Sequence, residues 1–139
     1  MKKAFILILA LALLLVPSLT GCGKDGGKKN QKTVKVSMIE ISSRHELNDA
    51  GEKYVVITPD ENGELKYKIE CAILPVNATN KAVDFHFDKE IDYATVAADG
   101  TVVFDKAKVG DRGLAVEITV TPKDGTDKRD SITVFALNQ

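Results

Sequence analysis

The sequence contains no tryptophan, and only 6% of its 139 residues are aromatic. A carbohydrate platform needs exposed flat rings. Tyr54, Tyr67, Tyr93 and most of the Phe residues instead fall on faces that alternate toward a core, so no dedicated sugar site is expected. Cysteine is as scarce: of two, only Cys71 lies in the patterned part of the chain, which excludes a disulfide within it. Its place in an alternating strand marks it as a small buried hydrophobe rather than a reactive thiol, which would want an electropositive, partly exposed setting. There are two histidines, His45 and His86, with no paired His or Cys spacing of the kind zinc requires. Ser42, Ser43, His45 and Asp49 lie close in sequence, but no Gly-x-Ser-x-Gly turn surrounds either serine. The expectation is that the protein is not an enzyme and carries no cofactor. Long apolar runs are limited to Ala4–Val16, short of the roughly 20 residues that span a bilayer.

That run follows Lys2 and Lys3, giving the charged and apolar regions of a secretory signal. It leads into Leu19-Thr20-Gly21-Cys22. These four residues resemble the lipobox of a bacterial lipoprotein signal. The resemblance implies cleavage after Gly21 and attachment of diacylglyceryl and fatty-acyl (palmitate-type) chains at Cys22. Two chains, at about 0.8 kcal/mol per buried methylene, hold a protein durably on a membrane where one would not. The expected location is therefore the extracytoplasmic face of the cell membrane, through a lipid anchor. Gly23 rather than Asp follows the Cys, which resembles the pattern sent to the outer membrane in envelopes with two membranes.

The charge is unevenly placed. The whole chain carries −1, while Gly23–Thr33 holds four Lys against one Asp and Val34–Gln139 carries −6. The expected organisation is a signal at 1–21, a lipidated Cys with a flexible basic tether at 22–33, and one domain at 34–139. Two readings of the tether stand side by side. Its lysines are attracted to an anionic surface at about 1 kcal/mol each, or Lys and Gly simply keep a linker soluble. An acidic domain argues against nucleic acid as a partner, because phosphate binding needs a basic face.

Beyond the tether the pattern is strand after strand, with no stretch that reads as a helix. Val34–Ile41 alternates for most of its length, and Ser42–Lys53 is polar and irregular. Tyr54–Ile57 is short and extended, ended by Pro59. Leu65, Tyr67, Ile69, Cys71 and Ile73 point one way and Lys66, Lys68 and Glu70 the other, which predicts one long strand closed by Pro75. Val83, Phe85 and Phe87 alternate with Asp84, His86 and Asp88. Asp99-Gly100 marks a tight hairpin turn after Tyr93–Ala97 and before Thr101–Phe104. Leu114–Thr121 and Ser131–Leu137 complete the set around a charged turn at Asp124-Gly125. About seven short strands at spacings near ten residues predict an antiparallel β-sandwich.

Leu74–Lys81, Val83-Asp84-Phe85, Ala94-Thr95-Val96, Asp99-Gly100-Thr101-Val102 and Ile118-Thr119-Val120-Thr121 with Asp124-Gly125 occur in an order that resembles bacterial immunoglobulin-like domains of group 2, the intimin and invasin type. The likeness runs from about Val34 to Leu137 and is strongest over Leu74–Gly125. Phe85 and His86–Lys89 stand where that family commonly has Trp and a Ser-rich stretch, and Ser42–Ile57 is longer than its usual connection. The resemblance implies an Ig-like sandwich used as a spacer, adhesive or carbohydrate-contacting module at cell surfaces.

Asp84, Asp88, Glu90 and Asp92 are the candidate ligands for calcium, a cation that wants several oxygens. Alternate residues on a strand stand about 7 Å apart, so the four could share an ion only if the following loop folded back. Otherwise they form a solvated acidic edge that discourages sheet-to-sheet aggregation. The expected role is a non-enzymatic interaction module at the cell surface, contacting an envelope protein or a wall polymer. The alternative is an accessory or inhibitory lipoprotein acting on a secreted enzyme or transporter.

Overall fold

The structure is a computed structural model that describes residues 31–139; the lipobox Leu19–Cys22 and most of the basic tether lie outside the described residues. Lys32–Gln139 forms one compact unit. It contains ten strands and, among the described residues, no helix. The strands are β1 Met38–Ile41, β2 Glu46–Leu47, β3 Lys53–Ile57, β4 Leu65–Lys68 and β5 Cys71–Leu74. They continue with β6 Val83–Phe87, β7 Ala94–Val96, β8 Thr101–Phe104, β9 Leu114–Pro122 and β10 Asp130–Ala136.

One layer is the five-stranded sheet β2-β3-β10-β9-β6. Its inner face carries the alternate residues Val116, Ile118 and Val120 of β9 and Ile132, Val134 and Ala136 of β10, all buried. The opposing layer is divided: β1 pairs with β5, and β4-β8-β7 form a separate three-stranded sheet. Ile39, Ile41, Leu65, Ile69, Val102 and Phe104 from that divided layer join the same core. The all-β sandwich expected from the alternation is what the chain adopts.

Three features differ from the sequence expectation. First, Leu65–Ile73 is two strands rather than one. The Ile69 N–H donates to the Gly100 carbonyl (2.9 Å), while the Glu70 carbonyl accepts from the Ser42 N–H (2.8 Å). The chain thus leaves β8 as its neighbour and takes up β1 within two residues. The faces stay in phase, with Leu65 and Ile69 buried and Lys66, Lys68 and Glu70 exposed, so alternation gave no sign of the break. Gly100 is essential to the crossing: its φ is +85°, and an added Cβ would lie 2.5 Å from the Ile69 carbonyl oxygen. Second, the polar Ser42–Lys53 stretch contains β2, antiparallel to β3. Third, β3 runs parallel to β10, with Thr133 opposite Tyr54 and Ala136 opposite Ile57. The sandwich is therefore mixed, not wholly antiparallel, and its strands number ten because Leu65–Ile73 is divided where it changes neighbours and β2 is added.

The N-terminal segment is held by carboxylates of the β9–β10 connection. Asp124 Oδ2 accepts the Val36 N–H at 2.7 Å, and Asp130 Oδ2 accepts the Ile41 N–H at 2.7 Å. Lys53 pairs with the same Asp130 oxygen, and both side chains are largely buried. An Asp130→Ala exchange leaves an N–H and an ammonium in a partly dry site without their shared acceptor. Charge-assisted bonds of this kind predict a loss of about 2–3 kcal/mol. Urea unfolding followed by circular dichroism checks this, and Asp130→Asn, which can still accept from Ile41, is expected to lose less.

Candidate functional site

The sequence candidates are distributed rather than gathered. His45 Nδ1 lies 2.7 Å from the Ser43 carbonyl oxygen, while Ser43 Oγ lies 2.9 Å from the Tyr67 hydroxyl oxygen. Tyr67 donates to the Arg44 carbonyl (2.6 Å). Ser43 is buried, whereas Ser42 and Asp49 are exposed. Ser43 and His45 therefore meet through a backbone carbonyl, and the local bonds fasten the β1–β2 connection onto β4 without forming a Ser–His–Asp relay.

Three of the four acidic candidates take separate partners. Asp84 pairs with Lys123 (2.8 Å), Asp92 with Lys108 (2.8 Å), and Asp88 accepts from Thr119 Oγ1 (2.9 Å). Glu90 is exposed, and no cluster of three or more candidate metal ligands occurs among the described residues. His86 is exposed on β6, between the half-buried Phe85 and Phe87. Cys71 is half-buried and free, with its thiol pushed up first by burial and then by the Asp130 carboxylate. It is a core-packing side chain.

What the sequence did not mark is the solvent face of β3 and β10. In Tyr54-Val55-Val56-Ile57 every residue is apolar or aromatic, so alternation cannot say which pair faces out. The parallel ladder decides it. Val55 and Ile57 turn inward with Val134 and Ala136, leaving Tyr54, Val56, Thr133 and Phe135 on the outer face. The expectation that Tyr54 faces the core is corrected, and Phe135 is a Phe of the domain that faces out. Val56 is 50% and Phe135 40% exposed, and the Tyr54 and Phe135 rings meet edge to face with centroids 6.2 Å apart. The Tyr54 hydroxyl donates to Glu46 Oε2 at 2.7 Å, and this bond holds the phenol above its ordinary pKa. β-Branched and aromatic residues on a sheet face would otherwise be covered; here they form a compact exposed cluster.

Beside the cluster runs a polar groove of about 390 Å³, floored by Glu117, Ser131 and Thr133 and walled by Glu52 and the Lys53–Asp130 pair. A second hollow of about 290 Å³ shares Glu52, Lys53 and Thr133 and is completed by Tyr54 and Phe135. The two make one continuous strip, acidic and hydroxyl-rich at one end and aromatic at the other. Thr119 Oγ1 and Ser131 Oγ lie 3.0 Å apart, extending the hydroxyl row toward Asp88. The Glu117 carboxyl is raised above the ordinary value, first by partial burial and then by Asp88, with Glu52 adding to it. The strip supplies shape, an apolar anchor and hydrogen-bonding groups, the ingredients of recognition. No model of a known protein family matches the chain, and no curated protein does.

The Glu117 shift sets a testable sign. A carboxyl raised in the folded state weakens folding once ionised, so stability falls as the pH rises above the ordinary Glu value of 4.5. Glu117→Gln removes that penalty. The variant is expected to melt above the parent at pH 7, with the difference vanishing below pH 4.5, as measured by thermal scans across that range.

Proposed function

We propose that this chain is a lipid-anchored extracytoplasmic protein whose Ig-like sandwich acts as a non-enzymatic binding module at the cell surface. The single observation that carries the binding half is the exposed Tyr54–Val56–Phe135 cluster with its acidic groove on the β3–β10 face. An exposed aromatic cluster bordered by polar groups is the composition expected of an interaction hot spot. The anchoring half is supported by the order Leu19-Thr20-Gly21-Cys22 after a short apolar run. The Ig-like type is supported by the motif order from Leu74 to Gly125.

One feature favours a protein partner, and with it the accessory or inhibitory reading, over a wall polymer. Tyr54 and Phe135 meet edge to face rather than presenting two coplanar rings for a sugar to stack on. An apolar side chain of a partner protein fits such a surface, with a basic group answering Glu52 and Glu117.

Two experiments test the proposal. Replacing Cys22 by Ala is expected to move the protein out of the membrane fraction; a variant that stays membrane-bound refutes the anchor. Residues 32–139, which contain the whole core, are to be pelleted with purified cell-wall sacculi at low and high salt and cross-linked on intact cells. The expected outcome is a discrete cross-linked species that disappears in a Tyr54→Ser, Phe135→Ser variant, with no salt-resistant pelleting. Salt-resistant pelleting lost in the same variant would reassign the strip to a wall polymer, and retention of either activity in that variant would refute the strip as the binding surface.

A further inference from the structure

Three connections converge at the end of the sandwich where the chain enters it. The Val34 N–H donates to Thr79 Oγ1 (2.8 Å), and the Thr79 N–H donates to the Val34 carbonyl (2.8 Å). Val36 is bonded to Asp124, and the Lys123 N–H donates to the Ala82 carbonyl (2.8 Å). These bonds draw the entering segment 32–37, the β5–β6 loop and the β9–β10 turn into one surface.

The surface has two properties in common with membrane-contacting ends. It is cationic: the entering segment, the β5–β6 loop and the β9–β10 turn carry Lys32, Lys35, Lys81, Lys123, Lys128 and Arg129 against Asp124 and Asp127, with Asp84 beside Lys123 and Asp130 turned toward the Lys53 ammonium. Asp124 is occupied by the N–H groups of Val36 and Thr126, and backbone donation from Val36 chiefly holds its carboxyl low. Lys123 and Lys128 are paired with Asp84 and Asp127, whereas Lys81 and Arg129 are exposed and have no side-chain partner among the described residues. The same surface also carries an apolar tip. Val76, in the β5–β6 loop, is 74% exposed, more than the other exposed large hydrophobic side chains of the domain. The β2–β3 turn with Asp49 and Glu52 borders this surface on its β3 flank: the β3–β10 register places Glu52 level with Ser131, and the turn tip reaches about the level of Asp130, away from the β5–β6 loop that carries Lys81 and Val76.

The opposite end has the reverse character. Its three connections, residues 58–64, 88–93 and 105–113, hold eight carboxylates against four cations. The domain is thus polarised along its strands, with an excess of positive charge where the chain enters and of negative charge where it is farthest from that point.

We infer that the entering end is a seating surface for an anionic phospholipid bilayer, with the cations at the headgroups and Val76 reaching toward the interface. The inference rests on the proposed lipid anchor, whose linker of roughly 15–20 Å would keep this end in reach of the surface, where the field acts within a Debye length of about 8–10 Å. There each basic side chain strengthens association about fivefold, and a bare apolar tip adds to it. The acidic far end is repelled, so the charge pattern orients the sandwich upright rather than merely attracting it.

The test is flotation of residues 32–139 with vesicles of phosphatidylcholine, pure or with about one part in three of phosphatidylglycerol. Flotation is expected only with the anionic vesicles and only at low salt. Lys81→Glu with Arg129→Glu is expected to weaken it about tenfold or more. Lys106→Glu with Arg112→Glu, an equal charge change at the far end, is expected to leave it nearly unchanged. Val76→Ser is expected to weaken flotation without altering its salt dependence. Failure to float with anionic vesicles, or equal loss in the two charge-reversal pairs, overturns the seating surface. The anchor is judged separately by the fractionation of Cys22→Ala. A lipidated parent that stays in the membrane fraction while the domain fails to float refutes seating alone.

Discussion

The fold depends most on a single carboxylate. Asp130 stands at the first position of β10, where the strand emerges from the β9–β10 turn, and its side chain turns toward the segment that enters the sandwich. One oxygen accepts the Ile41 N–H and the Lys53 ammonium, while the other accepts the Ser131 N–H. Three pieces of chain far apart in sequence are thereby fixed at one point: the end of β1, the start of β3 and the start of β10. β1 has no ladder partner in the five-stranded sheet; its only strand neighbour is β5. Without the aspartate the Ile41 N–H would be a donor facing the core with nothing to accept it, a cost comparable to a lost hydrogen bond. Asp124 does the same for Val36 one strand-length away. The divided layer is hung on the continuous one by these two acids as well as by its apolar contacts.

Division of that layer has a physical origin in the switch at Ile69-Glu70. A strand that exchanges neighbours must find acceptors and donors for the backbone groups in transit, because buried unpaired groups are costly. Here the Gly100 carbonyl receives one and the Ser42 and Ser43 N–H groups supply the other. The close approach of the β7–β8 turn is possible only because residue 100 lacks a side chain, with Phe85 as well as the Ile69 carbonyl against it. The Asp99-Gly100 pair therefore does more than reverse the chain. Asp99 accepts from Lys68 of β4 and from Thr101, which draws its carboxyl down to about 2, and so ties the turn to the strand it crosses.

Much of this architecture was legible in the sequence, and the limits follow from what local patterns encode. Alternation reports which face of a strand is apolar, so the inward residues of β6 and β9 could be named, as could the turns at Asp99-Gly100 and Asp124-Gly125. Alternation does not report which strand lies alongside. The Leu65–Ile73 run keeps its phase through the switch, and the parallel pairing of β3 with β10 joins segments some eighty residues apart in register. Nor can it assign faces in Tyr54–Ile57, where both faces are apolar, and this is why the exposed aromatic cluster was not foreseen. Asp124 and Asp130 were hidden for a different reason: in a turn with Lys123, Asp127, Lys128 and Arg129, charge reads as solvation, and only the fold shows that two of these carboxylates face the entering backbone. The acidic run Asp84–Asp92 illustrates the converse, since nearness in sequence became three separate pairings.

The direction of the strands decides how the proposed anchoring and the proposed recognition would coexist on so small a domain. β3 and β10 run parallel, both starting near the end where the chain enters and finishing at the far end. Their outer face is therefore a side wall with respect to the strand axis, while the cationic loops form the base. On the proposed anchoring, a flexible linker of about ten residues would span roughly 15–20 Å, comparable to the height of a five-residue strand. A domain held on such a length stays close to the surface, and any preference for one orientation matters. If it tumbled freely, the Tyr54–Phe135 face would spend part of its time turned into the headgroups, where an apolar cluster bordered by Glu46, Glu52 and Glu117 would meet like charge. On the proposed anchoring, cations at the base and carboxylates at the top would favour the upright orientation, with the side wall looking along the membrane toward the proposed protein partner. Charge polarity along the strands and the apolar cluster across them are then two parts of one arrangement, with the first presenting the second.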